Sequence, residues 1–203
     1  MKCSLCELDA ACKCSICGKF LCAGHMMLRP LCSSCQKKAS IEFVIKKLSS
    51  DDERAAIKDL VKRFWGEQEQ LTFDRKFMVA ELSAFVPRVQ DEIAGFASFT
   101  ELNDAMLIVA LSELPKYQGL GIGTSLIKRI EAEARKQKKK RLLVSTSNDD
   151  LPALAFYQSL GFQIFEVEPD IIAEKHGKVL KGIGGLPVRD EIRLRKKLQR
   201  FNG

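Results

Sequence analysis

From residue 41 onward the apolar and polar positions alternate between two periods, about 2 and about 3.6 residues, which strands and helices respectively require. Ile41 to Leu48 predicts a first strand, and Ser50-Asp51-Asp52-Glu53 supplies helix-start chemistry. Behind it Ile57, Leu60, Val61 and Phe64 fall on one helical face. Phe77 to Leu82, Ile93 to Thr100 and Ala105 to Leu111 read as strands; Pro87 and an irregular stretch leave the register after the first of them open. The clearest helix spans 122–138, with Ile122, Leu126, Ile127, Ile130 and Ala134 in one apolar stripe and charges on the other face. Arg141 to Thr146 returns as a strand. Asp149-Asp150 ahead of Pro152 opens another helix, and Gly161 stands where it should close. Phe162 to Val167 and Val188 to Leu194 read as last strands, and the Gly- and Lys-rich segment 174–187 as a long loop. Trp65 is expected in the core and His176 in that loop. Such alternation predicts an α/β or α+β domain. The longest apolar run, Met106 to Leu111, falls far short of the ~20 residues of a membrane span, so no membrane association is expected.

Residues 1–38 obey neither period. All eight cysteines lie there, between residues 3 and 35, and 36–41 reads as a short polar connector. The N-terminus lacks the apolar core of a secretory signal, which predicts a cytoplasmic, reducing setting and argues against a disulfide framework. The pattern is Cys3-x2-Cys6, Cys12, Cys14-x2-Cys17, Cys22-x2-His25 and Cys32-x2-Cys35. Two-residue spacers let both side chains reach one metal across a tight turn, and thiolates are soft anionic donors that suit zinc. Four such pairs make eight ligands, enough for two tetrahedral zinc ions. A segment this short, with few large apolar side chains, needs metal binding to fold, so the expected role is structural. The arrangement resembles cross-braced zinc fingers of the AN1 and B-box type. That resemblance implies one site from Cys3, Cys6, Cys22 and His25 and another from Cys14, Cys17, Cys32 and Cys35. Cys12 stands outside the pairs and could substitute for a neighbour.

The formal charge of +7, with nine lysines and arginines between residues 175 and 200, permits an acidic partner such as RNA but does not favour one. Lys138-Lys139-Lys140-Arg141 closes a helix, where cations offset the dipole.

Between the strand ending near Leu111 and the helix from 122 lies Gln118-Gly119-Leu120-Gly121-Ile122-Gly123-Thr124. Glycines let a backbone approach a ligand, and the first amides of the following helix point at an anion such as a pyrophosphate. Packing alone would also explain a glycine turn. A P-loop would need lysine after Gly123, where Thr124 stands, and a dinucleotide fingerprint from Gly121 would need a small residue at Leu126. Further along comes Asn148-Asp149-Asp150-Leu151-Pro152, then Phe156-Tyr157 and Gly161-Phe162. With both segments in this order the chain resembles the GNAT superfamily of N-acetyltransferases. The resemblance implies a mixed, mostly antiparallel central sheet flanked by helices over 41–203, joined to the zinc-stabilised module 1–38. It implies acetyl-CoA as cosubstrate and an amine-bearing acceptor, a small molecule or a protein. Leu111, Ser112 and Glu113 would pair with the pantetheine arm, and the amides of Gln118 to Thr124 would hold the pyrophosphate. Asn148 would contact the coenzyme arm, and Tyr157 would protonate the departing thiolate. Alternatively Asn148 serves a turn and Tyr157 packs beneath the sheet.

A lysine-like amine of pKa about 10.4 is neutral only about once in 2,500 molecules at pH 7, so a base is valuable. Many members of the family carry glutamate at the position that is Leu107 here. Three explanations stand open: Asp104 or Glu101 acting through water, an acceptor of lower pKa, or a domain that binds acyl-CoA without turnover. A non-catalytic adaptor and a basic nucleic-acid-binding protein are therefore the competing functions.

Overall fold

The computed structural model describes residues 1–13, 18–22 and 41–198. The expected ligands Cys14, Cys17, His25, Cys32 and Cys35, and the side chain of Trp65, lie outside the described residues. The chain divides into two compact units, Met1–Glu42 with Gly119–Gly121 and Phe43–Gln118 with Ile122–Gly203. In the first, strands β1 (Cys12–Lys13) and β2 (Phe20–Leu21) pair antiparallel with Cys12 opposite Leu21. Cys3 N–H donates to Leu8 O at 2.9 Å and Ser4 N–H to Phe20 O at 2.8 Å, which bends residues 3–8 back towards β2.

The second unit opens with β3 (Val44–Lys47) and helix α1 (Asp51–Trp65). Ser50 caps α1, its hydroxyl accepting from Glu53 N–H at 3.2 Å, while Glu53 reaches back to Ser49 N–H at 3.2 Å. That reciprocal arrangement satisfies amides at the helix start and resembles a capping box. Strands β4 (Glu69–Thr72) and β5 (Arg75–Met78) form a hairpin where one strand over Phe77–Leu82 was expected, and Val79–Glu81 is a 3-10 turn. Phe73 and Asp74 make the hairpin turn with φ of 50° and 58°. Such turns usually announce themselves with Asn-Gly or Asp-Gly, and Phe-Asp hides this one.

The sheet continues with β6 (Ser83–Val89), β7 (Glu92–Ile93), β8 (Gly95–Leu102) and β9 (Ala105–Glu113). Pro87 does not prevent β6, because the β6–β8 ladder ends at Phe85 opposite Ala97, before the proline. Helix α2 (Ile122–Lys136) buries the predicted stripe of Ile122, Leu126, Ile127, Ile130 and Ala134. Each fully buried aliphatic side chain of this size contributes about 1.5–3 kcal/mol. Then come β10 (Arg141–Ser147), α3 (Leu151–Ser159), β11 (Gln163–Glu168), α4 (Ile171–His176), β12 (Leu180–Lys181), β13 (Pro187–Val188) and β14 (Glu191–Lys197). Asp150 caps α3 by accepting from Ala153 N–H at 3.0 Å. The expected long loop 174–187 thus begins inside a helix and contains β12, which pairs with β13. Its polar, glycine-rich composition masked elements that are only two to six residues long.

The central sheet has the order β11-β14-β10-β9-β8-β6-β3, with β7 paired to β6. Every neighbouring pair is antiparallel except β9 and β10. It is the mixed, mostly antiparallel sheet flanked by helices that was expected. Ile57 and Val61 of α1 pack with Val79, Val86, Phe96 and Ala110, and Leu107 packs with Leu143, Phe73 and Phe77. No helix among the described residues is long and apolar enough to cross a membrane.

Candidate active site

The parallel pair β9–β10 does not run the length of its strands. Pairing starts at Ala105 opposite Arg141 and stops at Ile108 opposite Val144, whereas β9 keeps pairing with β8 as far as Glu113 opposite Gly95. Where the strands part, β9 bulges: Ile108 faces Phe99 and Ala110 faces Ser98, leaving Val109 as the extra residue. A bulge bends its strand and increases the local twist, which here carries β9 away from β10.

A cavity of about 330 Å³ fills the opening, lined by residues 108–111 of β9 and 144–147 of β10. Ser145 Oγ lies 2.6 Å from Thr72 Oγ1, so Ser145 faces the β4–β5 hairpin. Alternation then turns Val144 and Thr146 to the opposite face of the sheet, and the cavity takes its lining from both faces.

Tyr157 projects into it from α3, accompanied by Asp150 and Ala153. Tyr157 is 6 % exposed, and its ring meets Phe156 and Phe162 edge-on, with centroids 5.2 and 5.5 Å away. Burial, and secondarily the negative charge of Asp150, push the phenol well above its ordinary range. The hydroxyl therefore keeps its proton through neutral pH, where it can hydrogen-bond to a developing anion, although the raised pKa makes it a weaker acid and not a stronger one.

Beyond β9 the chain makes a 3-10 turn at Pro115–Tyr117 and then the glycine loop. Gln118 Nε2 donates to Glu113 O at 3.4 Å. Gly119 and Gly121 hold φ of 80° and 87°, a left-handed conformation that L side chains seldom adopt. Leu120 and Thr124 are half-buried. A Cβ on Gly123 would meet Glu113 Oε1, the end of a flexible side chain, and come within 3.2 Å of the Phe156 ring, so the helix start packs closely there. The first turn of α2 carries no acid, in contrast with α1, where Asp51, Asp52 and Glu53 offset the dipole. An acid-free helix start behind a glycine turn suits an anionic ligand such as a pyrophosphate. These residues fit the binding of a coenzyme A group.

Of the residues expected from the sequence, Leu111 and Tyr157 line the cavity together. Ser112 and Glu113 continue β9 past the end of its β10 ladder. Asn148 holds the segment 187–190 through its side-chain amide. Its Oδ1 accepts from Arg189 and Asp190 N–H, both at 3.0 Å, and its Nδ2 donates to Pro187 O at 2.8 Å. Buried Asp149 accepts from Ser147 Oγ at 2.5 Å and Ile183 N–H at 3.0 Å. The pair clamps the segment 183–190 to the end of β10.

Asp104 and Glu101 stand at the closed end of β9. Asp104 binds Arg141 at 2.8 Å and Glu101 binds Lys139, and neither lines the cavity. Leu107 is fully buried in the core. The carboxylates that do border the cavity are Glu67, Asp150 and Glu191. Buried Glu191 accepts from Arg193 Nε at 2.8 Å and Phe73 N–H at 3.2 Å, and Arg193 also reaches Asp74, Glu166 and Glu168. Lys175 and His176 of α4 complete the polar wall, so His176 is a cavity residue and not the loop residue expected. Glu67 with Thr72, Lys175 with His176, and Glu191 come from three separate segments and share no local motif; only the fold assembles them.

In the N-terminal unit, the sulfurs of Cys3, Cys6 and Cys22 all lie within 4.8 Å of one another. Those of Cys6 and Cys22 are 3.7 Å apart. Zinc–sulfur bonds of about 2.3 Å in a tetrahedron set neighbouring sulfurs about 3.8 Å apart, so the spacing fits that ion. Three of the four ligands expected for the first site therefore converge.

The sequence profile of the acetyltransferase (GNAT) family matches residues 49–162. The chain is 29 % identical over 151 residues to YxbD of Bacillus subtilis (strain 168), covering 70 % of this chain and 94 % of that one. Among solved structures, an IAA acetyltransferase from Bacillus cereus ATCC 14579 superposes with a TM-score of 0.61 at 22 % identity, covering 77 % of this chain and all of that one. A Bacillus subtilis acetyltransferase in complex with CoA gives a TM-score of 0.60 at 20 % identity, covering 78 % of this chain and all of that one. The two superpositions are likenesses of fold.

Proposed function

The chain belongs to the GNAT family of acetyltransferases, and from that premise we propose that it transfers the acetyl group of acetyl-CoA to an amine. The observation that carries the proposal is the parting of β9 from β10 around a cavity that Tyr157 lines. Bound acetyl-CoA supplies an activated thioester. The exposed edge of β9 from Leu111 to Glu113 offers backbone groups to an extended amide-bearing arm, as an added strand would use them. The amides from Gln118 to Thr124 hold the pyrophosphate. Tyr157 gives its proton to the thiolate as it leaves. Asn148 acts at one remove, by holding 187–190 beside the end of β10.

A thiol-release assay with acetyl-CoA against a panel of small amines, polyamines and peptides tests the reading. Saturable release with at least one amine class is the expected result. Coenzyme binding without release for any amine would replace it with the adaptor function.

The module 1–38 we assign to two structural zinc ions, with Cys3, Cys6, Cys22 and His25 around one and Cys14, Cys17, Cys32 and Cys35 around the other. Residues 41–203 form the transferase domain, and the module is a docking element for a macromolecular acceptor. Metal analysis of the purified chain should find about two zinc ions, and chelation should unfold 1–38 while the transferase domain stays folded. Cys6→Ala should lower the content to about one ion. Metal-free protein with cysteines joined in disulfides would end the assignment.

A further inference from the structure

One amine already stands in the wall of the cavity. Lys175, in the last turn of α4, is the one lysine among the described residues that line it, and its Nζ donates to Glu67 Oε1. The two residues lie 108 positions apart in sequence, with side chains 18 % and 37 % exposed. The remaining carboxylates of the cavity are committed elsewhere, Asp150 to the start of α3 and Glu191 to Arg193 and Phe73. Glu67 is thus the cavity carboxylate that faces an amine. Across the same space stands Tyr157, with its proton held by burial.

Together these groups are what an acetyl transfer needs on the acceptor side: a nitrogen, a base in contact with it, and an acid for the leaving group. We propose that Lys175 is itself an acetyl acceptor, modified in cis with Glu67 as its base. The inference rests on the acetyl-transfer reading above and deepens it. The Lys175 ammonium first loses one proton through Glu67 to solvent; the neutral nitrogen then forms a bond to the acetyl carbonyl carbon, and the carbon–sulfur bond breaks. Attack makes the nitrogen strongly acidic, and its surplus proton passes to Glu67 and then to solvent. The thiolate takes the Tyr157 proton, which solvent restores. The products are N-acetyl-Lys175, free coenzyme A and one proton. Acetylation removes the positive charge from Lys175 and with it the ion pair that ties α4 to Glu67.

The test uses the full chain and trideuteroacetyl-CoA, so that acetyl groups acquired during expression are distinguished by mass. Peptide mapping over time should find the heavy label first at Lys175, with a first-order rate independent of protein concentration. Glu67→Gln and Tyr157→Phe should each slow labelling at Lys175 by about 10²-fold, the usual loss for one acid–base group. Lys175→Arg should abolish the label there while calorimetry still detects acetyl-CoA binding. Label spread evenly over surface lysines, or a Lys175 rate unchanged in both variants, would show solvent chemistry and overturn the inference. Turnover of external amines with Lys175 unlabelled would overturn it and leave the proposed function standing. Absence of acetyl-CoA binding altogether would remove the proposed function, and the inference with it.

Discussion

Tyr157→Phe should lower kcat for acetyl transfer by about 10²-fold at pH 7, with fold and acetyl-CoA affinity retained. A 10²-fold loss corresponds to about 2.7 kcal/mol of transition-state stabilisation. The substitution leaves the ring in its edge-on contacts with Phe156 and Phe162 and removes only the hydroxyl. Burial and the charge of Asp150 hold the tyrosine proton in place, so the wild-type acid stays loaded across the working range. The departing thiol has a pKa of about 8.5, and above that pH its thiolate leaves into solvent without needing the proton. The deficit should therefore shrink as pH rises from 6 to 10. The measurement is kcat for both proteins across that range, in single-turnover experiments where chemistry is observed directly. Equal rates at pH 7 would reduce Tyr157 to a packing residue.

Gly121→Glu should remove acetyl-CoA binding by about 10³-fold or more. Two costs add. A residue with a Cβ at φ of 87° carries about 1–2 kcal/mol of backbone strain. The carboxylate also meets the pyrophosphate, and one pair of like charges 4 Å apart costs about 4 kcal/mol at an effective dielectric of 20. Gly121→Ala separates the two, because it has the strain without the charge, and should lose about tenfold. Calorimetric titration of both variants with acetyl-CoA decides the matter. A folded Gly121→Glu protein that binds as well as Gly121→Ala would mean that the loop serves packing and the anion lies elsewhere.

Much of this molecule is legible in its residue pattern, because the responsible forces act over one or two turns of chain. The apolar stripe of α2 and the caps at Ser50 and Asp150 each concern neighbours within a few positions. The glycine loop is legible for the same reason, since its left-handed backbone and the helix amides behind it are local. The pairing of Cys3, Cys6 and Cys22 came from the spacing of two-residue knuckles and a known resemblance, and their sulfurs do converge.

What the sequence could not decide is where distant segments meet. Its resemblance offered Asn148 to the coenzyme, and only the folded chain shows that amide bracing 187–190. It found leucine at 107, where many family members carry glutamate, and offered Asp104 or Glu101 from the turn before β9, because a local position is readable and a tertiary neighbour is not. The folded chain buries the first, ties the other two to cations at the closed end of the strand, and brings in Glu67, Lys175 and Glu191 from elsewhere. The hairpin that closes the cavity was hidden by a Phe-Asp turn whose left-handed backbone no local signal announces. Local propensities thus determined most of the longer elements and the glycine loop. The polar wall of the cavity exists only through contacts between residues as much as 118 positions apart, whose pairing depends on sheet order, bulge and register.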